Sequence, residues 1–251
     1  MTPPATRPVH PPLAERGRTV AGELAFAVVG MFVGVMVLFV LRAVGLWPSG
    51  EGAPRGLSLV NGPLITGMAA LAYRFAAARV LADTPELVAA PLREGPARAI
   101  ATAVLGIVAA IAGSVVLGGV LELLGAPVAE QGGIVEIVQD WRNGTDRSTV
   151  YVLGVSAVVL APVCEEALFR GLLFARLRRA TGRALGYGVS ALAFAAIHAN
   201  PAGFVIYVWL GLVFAWSLER SGRLWPAIAV HMGNNAFAFA ALLLGETATV
   251  P

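Results

Sequence analysis

Residues 150–177 read VYVLGVSAVVLAPVCEEALFRGLLFARL. The run is long enough to cross a bilayer core, which takes about 20 mostly apolar residues in a helix. Near its middle it carries Glu165, Glu166 and Arg170, although one charged residue at the centre of a membrane helix costs about 2.5–3.5 kcal/mol on insertion scales. Ionisable residues inside a membrane usually mark a functional site. The run therefore predicts both a membrane span and a site within it.

Apolar runs of similar length recur along the chain. Besides 150–177, the sequence predicts spans near 24–46, 58–80, 99–124, 185–199, 202–218 and 224–244. Residues are 57% hydrophobic and 13% charged, against about 25% charged in a soluble domain. The composition therefore excludes an ordinary soluble enzyme. We expect an all-α, polytopic transmembrane helix bundle of about seven spans, with a four-helix core around the polar site in the C-terminal half.

The chain is expected to have three regions. Residues 1–20 contain several prolines and no periodic pattern, so we expect a disordered cytoplasmic tail. Residues 21–147 are expected to form N-terminal transmembrane helices. Residues 148–245 are expected to form the core that holds the polar site.

Arginine sets the expected orientation. All 18 basic residues are arginine, and arginine is enriched in cytoplasmic loops. The N-terminus and the 80–98, 176–184 and 219–223 loops are thus expected in the cytoplasm, and the more acidic 125–149 loop outside. The arginines lie between apolar runs rather than on one face, so the net charge of +3 does not indicate nucleic-acid binding.

Helix geometry separates the three charges of the quoted run. Glu166 and Arg170 are four residues apart with the acid first, the better orientation for an ion pair. Glu165 points about 100° away from Glu166, so it lacks that partner and is expected as the free carboxylate. Pro162 removes the hydrogen bond to the carbonyl of Val158, and a kink there would open space beside Glu165.

Two of the chain's three histidines lie in other spans. Phe194 and His198 share a helix face, and so do His231 and Asn235. Counted at 1.5 Å per residue from the arginine-rich ends, Glu165 and both histidines lie roughly 10–20 Å deep. We therefore expect them to meet in one cavity, reached from the cytoplasmic half of the membrane.

This set of side chains suits the activation of water. A buried carboxylate and an imidazole can take a proton from water as it attacks a carbonyl, while a second imidazole and an amide stabilise the oxyanion. Glu165, His198 and His231 also match the His₂Glu ligand set of zinc hydrolases. The HExxH signature is absent, so the sequence establishes no cofactor and leaves zinc open.

The three motifs together resemble those of one known family. Glu165-Glu166-x-x-x-Arg170, Phe194-x-x-x-His198 and His231-x-x-x-Asn235 follow in this order on separate spans. They are similar to the motifs of the CPBP family, which comprises type II CAAX prenyl endopeptidases and bacteriocin-processing or immunity proteins. The resemblance covers roughly 148–245 and implies that this region is an intramembrane protease core.

The resemblance also implies roles for the site residues. Glu165 and His198 would activate the water, and His231 and Asn235 would form the oxyanion hole. The remaining two motif residues, Glu166 and Arg170, would be structural or orient the substrate. Family members are commonly labelled metalloproteases, so metal use stays an alternative, with Glu165, His198 and His231 as the ligands.

Other functions stay open at this point. The polar cluster could serve only to hold the bundle together, in a non-catalytic scaffold or bacteriocin self-immunity protein. A proton-coupled transporter is a weaker alternative, because glutamate and histidine chains also build proton relays. The expected location is the cell membrane, multi-pass, and the expected partners are the lipid bilayer and a peptide or membrane-anchored protein substrate. Gly30 and Gly34 could mark either a dimer face or helix packing within one chain.

Overall fold

The computed structural model describes residues 12–48, 55–80, 95–126 and 132–245. Across these ranges the regular structure is helical, with no strand. In chain order the helices are α1 Leu13–Ala43, α2 Arg55–Ser58, α3 Asn61–Val80, α4 Pro96–Leu123, α5 Gly132–Arg142, α6 Ser148–Thr181, α7 Arg183–Ile197, α8 Phe204–Ser221 and α9 Leu224–Leu244.

Six segments in these ranges are long and apolar enough to cross a membrane: α1, α2 with α3, α4, α6, α8 and α9. The predicted all-α membrane bundle is thus confirmed. The predicted span at 185–199 corresponds to α7, whose 15 residues reach about 22 Å, less than the hydrocarbon thickness of about 30 Å. Helix α7 alone is therefore too short to cross the hydrocarbon layer.

The first helix starts earlier than the predicted span. It begins at Leu13, directly after Pro12, so residues 13–20 of the expected tail are helical. The physical reason is that every proline of the tail precedes Leu13, and a helix readily starts after proline. Residues 1–11 of that tail, 81–94 of the 80–98 loop and 127–131 of the 125–149 loop lie outside the described residues.

Glycines on α1 bring two backbones into contact. A Cβ at Gly30 would lie 2.7 Å from the carbonyl oxygen of Ala69 on α3, and one at Gly34 would meet the carbonyl of Ile65. Only a residue without a side chain allows this approach. The face carrying both glycines is thus used for packing within the chain, which answers the alternative left open by the sequence.

The arginine-rich helix ends lie together at one end of the bundle. Arg176 near the end of α6 donates to Glu23 near the start of α1 at 2.9 Å, and Glu23 also accepts from Tyr73. Arg178 donates to Glu219 near the end of α8 at 2.7 Å. These ion pairs join loops that the sequence predicts on the same side of the membrane. That this side is cytoplasmic remains a prediction.

Helix α6 widens on both sides of its two glutamates. Residues Ser156–Leu160 and Ala167–Phe174 are π-helical, a rare form that is frequent at functional sites. In the first segment the N–H of Ala161 donates to the carbonyl of Ser156, five residues back. The next bond of this register would need an N–H on Pro162, and proline has none.

The carbonyl left without that bond belongs to Ala157. The side-chain amide of Asn235 on α9 donates to it at 2.8 Å, so a neighbouring helix satisfies it. The sequence placed the freed carbonyl at Val158, as in a regular α-helix. The wider π register places it one residue earlier.

Helix α4 packs against α8 through an indole ring. The Nε1 of Trp209 on α8 donates to the carbonyl of Ala109 on α4 at 3.2 Å. The ring lies over Gly113, where a Cβ would overlap it. Trp209 thus brings α4 beside the helices of the predicted core.

Candidate active site

The structure brings the four predicted catalytic residues to one cavity. Glu165 from α6, His198 after α7, and His231 and Asn235 from α9 line a cavity of about 280 Å³. The walls are otherwise mostly apolar and aromatic, as is usual for small-molecule and catalytic sites. The cavity therefore combines a few polar groups with mostly apolar walls.

Glu165 supplies an unsatisfied carboxylate oxygen in a side chain that lines the cavity. Its Oε2 is buried and has no hydrogen-bond partner among the residues that the structure describes. A buried charged oxygen without a partner is costly, and such groups in native proteins call for an explanation such as a catalytic role. Water or substrate in the cavity would provide the missing partner.

Glu166 lies at the centre of a buried network. Its Oε1 accepts from the Nη1 of Arg170 at 3.1 Å, which is the predicted ion pair, and also from the Nδ1 of His231 at 2.9 Å. Both members of the ion pair are 0% exposed. Arg170 also donates to the carbonyl of Gly211 on α8 at 3.1 Å, and its guanidinium lies 4.3 Å from the ring centre of Phe194.

The contact with Glu166 fixes the protonation pattern of His231. A carboxylate oxygen accepts here, so the Nδ1 of His231 carries a proton. The Nε2 is then an acceptor in the neutral ring and a donor in the imidazolium. His231 can therefore donate to an oxyanion from Nε2 only as the doubly protonated ring. Sequence reasoning missed this bond, because Glu166 and His231 are 65 residues apart.

His198 is held by the backbone and by two aromatic rings. Its Nδ1 donates to the carbonyl of Phe194 at 2.8 Å, which leaves Nε2 as the acceptor of the neutral ring. The expected contact with the Phe194 ring is present, with centres 4.7 Å apart. Tyr207 on α8 stacks on the histidine at 4.0 Å, a partner that sequence reasoning missed.

Asn235 is oriented by a hydrogen bond at each end of its amide. It donates from Nδ2 to Ala157 and accepts at Oδ1 from the Nδ2 of Asn234 at 3.3 Å. One proton of the Nδ2 amide is thus used, and the second remains to be donated. A donor fixed in this way costs little reorganisation when charge develops on a substrate.

The cavity extends away from the basic end of the bundle. On α6 its walls run from Glu165 back to Leu153, and on α9 they run from His231 forward to Leu242. Ile134 of α5, in the loop predicted outside, also lines it. The expected access from the cytoplasmic half is therefore wrong if the arginine-rich end is cytoplasmic. Depth counted along a helix gives the level of a residue, but not the side from which a cavity is reached.

The same residues form no candidate metal site as they are placed. No group of three or more His, Cys, Asp or Glu side chains in the described ranges is arranged to hold a metal ion. Glu165, His198 and His231 line the cavity without forming such a group. The bond from the Nδ1 of His231 to Glu166 is itself compatible with a metal on Nε2, so the misfit rests on the arrangement of the three side chains.

Comparisons with known proteins support the interpretation of the C-terminal half. Residues 147–237 match the family model described as type II CAAX prenyl endopeptidase Rce1-like. A protein of Bacillus subtilis (strain 168) named "Putative membrane peptidase YdiL" is 31% identical over 83 residues, which are 33% of this chain and 34% of that protein. The chain thus matches about a third of that relative's length. No solved structure matches this chain.

These matches confirm the resemblance to the CPBP family. The matched segment contains all three motifs, from Glu165 to Asn235. The helices before it, α1 to α5, lie outside the match.

Proposed function

We propose that this chain is an intramembrane endopeptidase that hydrolyses a peptide bond with water activated by Glu165 and His198. The proposal rests above all on one observation: a buried carboxylate oxygen of Glu165 lacks a protein partner in a cavity shared with two imidazoles and a carboxamide. The matched family description and the name of the bacterial relative support the same activity.

Water activation uses the two acceptors of the cavity. The carboxylate of Glu165 and the Nε2 of His198 can both accept a proton from water. As the water oxygen bonds to the scissile carbonyl carbon, one of these groups takes the proton. The C–N bond then breaks, and the proton passes to the leaving nitrogen, which gives a carboxylic acid and an amine. General acid–base catalysis of this kind typically contributes 10²–10⁴-fold to the rate.

Oxyanion stabilisation falls to His231 and Asn235. The imidazolium of His231 and the second amide proton of Asn235 are the donors for the tetrahedral intermediate. Removing one oxyanion-hole donor typically costs about 10²–10³ in kcat. In this scheme Glu166 is a positioning residue for His231, because it touches the ring rather than the substrate.

Substrate access follows from the direction of the cavity. If the positive-inside orientation holds, with the N-terminus cytoplasmic in the cell membrane, the cavity is reached from the outer half of the bilayer. The substrate would then be a peptide or membrane-anchored protein with its cleavage site toward that surface.

One observation favours a second function. The network of Glu166, Arg170, His231 and the Gly211 carbonyl joins α6, α8 and α9 inside the bundle, as expected if the polar residues only hold a scaffold or self-immunity protein together. The network also contains unsatisfied buried atoms, the Oε2 of Glu166 and the Nε of Arg170. Neither of these residues lines the cavity, whereas Glu165 does, and for this reason we prefer the peptidase.

The test separates the two functions by comparing neighbouring glutamates. The full chain in lipid nanodiscs is incubated with internally quenched peptides that have uncharged ten-residue cores. Glu165→Gln is expected to abolish cleavage while the melting temperature stays unchanged, and the exposed Glu122→Gln provides the matched control. Cleavage that persists in Glu165→Gln would refute the proposed mechanism. Loss of stability in that variant would support the scaffold.

A further inference from the structure

A second cavity adjoins the proposed catalytic cavity. Its volume is about 340 Å³, and it shares lining residues with the first. The shared residues are Ile134, Tyr207, Leu210, Asn235 and Ala238. The wall between the cavities thus includes the proposed oxyanion donor and the tyrosine that stacks on His198. A chain positioned for hydrolysis beside Asn235 would extend naturally into the second space.

The second cavity differs from the first in that none of the described residues that line it carries a charged side chain. Its polar lining side chains are all uncharged: Ser114, Asn200, Tyr207, Asn234 and Asn235. One wall is formed by α4, through Ile111, Ser114 and Val115. That helix lies outside the segment matched to the family, and the contact of Trp209 with Gly113 holds it in place.

Ser114 provides a polar group without a protein partner. Its Oγ is buried and makes no hydrogen bond to the described residues, although a serine in a helix commonly bonds to a carbonyl one turn back. Thr102 on the same helix makes that bond, to Arg98. A peptide group of a bound chain loses its hydrogen bonds to water when it enters the membrane interior. The unpaired hydroxyl of Ser114 can replace one of these bonds.

We propose that the second cavity is the subsite for an uncharged, apolar side chain next to the scissile bond, with Ser114 hydrogen-bonded to the substrate backbone. The inference rests on the proposed peptidase function. A charged side chain or a C-terminal carboxylate would find only uncharged polar partners there and no counter-charge among the described lining residues, and placing a charge in such a site is unfavourable. The proposed substrate is therefore an apolar segment within a polypeptide chain rather than its C-terminus. Residues of α4 would determine which side chain the second cavity accepts.

The first experiment measures selectivity in the active full chain. Internally quenched peptides with uncharged ten-residue cores are varied at one position through Ala, Leu, Phe and Asp. We expect efficient cleavage next to Leu or Phe, and at least tenfold lower kcat/KM for Asp. Ile111→Trp, which fills the cavity, should lower kcat/KM at least tenfold for Leu and Phe and much less for Ala.

A matched variant controls for the helix itself. Val116→Trp places the same ring on the exposed face of α4 and should leave kcat/KM within about twofold for all peptides. Ser114→Ala should lower kcat/KM by a similar factor for every peptide, because the contact is to the backbone. If Ile111→Trp and Val116→Trp behave alike, or if Asp is accepted as well as Leu, the subsite is refuted.

A binding measurement keeps the inference testable if no peptide is cleaved. Glu165→Gln protein in nanodiscs is irradiated with an uncharged decapeptide that carries photo-leucine, and the cross-linked residues are identified by mass spectrometry. Cross-links within 111–115 that disappear in Ile111→Trp support the subsite, and cross-links confined to other helices overturn it. Failure of the peptidase proposal is recognised separately, as the absence of Glu165-dependent cleavage in the active chain.

Discussion

The neighbouring glutamates Glu165 and Glu166 should respond in opposite ways when each is changed to glutamine. Glu166 is 0% exposed and accepts from both Arg170 and His231, so its removal leaves a buried guanidinium without its counter-charge. Breaking a buried ion pair in this way costs about 3–5 kcal/mol. Glutamine retains one acceptor oxygen and Arg170 retains the Gly211 carbonyl, so we expect about 3 kcal/mol for Glu166→Gln.

Glu165→Gln should leave the free energy of unfolding unchanged or raise it, because it removes a buried carboxylate oxygen that has no partner. Both are measured on purified protein in mixed micelles, by tryptophan fluorescence at increasing SDS fraction. Combining Glu166→Gln with Arg170→Gln should destabilise the protein less than the sum of the two single changes, because the pair is coupled. Equal losses for the two glutamates, or additive losses in the double variant, would refute the network described for Glu166.

Four further outcomes are expected. Tyr207→Leu should lower kcat about tenfold by removing the ring stacked on His198, whereas Tyr207→Phe should stay within threefold, as measured by peptide cleavage. Gly113→Ala should lower the melting temperature because its Cβ overlaps the indole from α8, whereas Gly119→Ala, with open space around it, should not. A hydrogen bond from the hydroxyl of Thr149, with others from the first turn of α6, lowers the pKa of Asp146 to about 2. Since this pKa lies below that of an aspartate in the unfolded chain, the stabilisation by Asp146 is complete above about pH 4 and is lost as the pH falls toward 2. Thermal unfolding between pH 2 and 5 should show this loss of stability. The variant Asp146→Ala should remove this contribution to the pH dependence. Metal analysis combined with cleavage before and after chelation should show full activity without metal, and activity that requires added zinc would contradict the glutamate-and-histidine scheme.

The features that could be predicted from the sequence are those that depend on a single residue and its near neighbours along the chain. A charged residue within an apolar run signals a site wherever it falls, and so Glu165, Glu166 and Arg170 could be singled out at once. The i,i+4 pairing of Glu166 with Arg170 is local and was predictable for the same reason. The two histidines on other apolar runs, His198 and His231, could be added to the predicted site for the same reason.

Features that depend on contacts between distant segments could not be predicted. The bond from His231 to Glu166 and the stacking of Tyr207 on His198 require the packing of separate helices. The freed carbonyl was assigned to Val158 rather than Ala157, because a periodicity of 3.6 residues cannot foresee a π-helical register. Access to the cavity was predicted from the wrong end for a similar reason, since depth along a helix does not reveal where neighbouring side chains leave space.

The hydrogen bond from Asn235 to the Ala157 carbonyl links the contact between α6 and α9 to the orientation of the Asn235 amide. Parting α6 from α9 would break it, and the amide proposed to hold the oxyanion would lose its orientation at the same moment. Under the proposed mechanism, a polypeptide that entered between α6 and α9 would separate Asn235 from Ala157, and hydrolysis would require the two helices to close again.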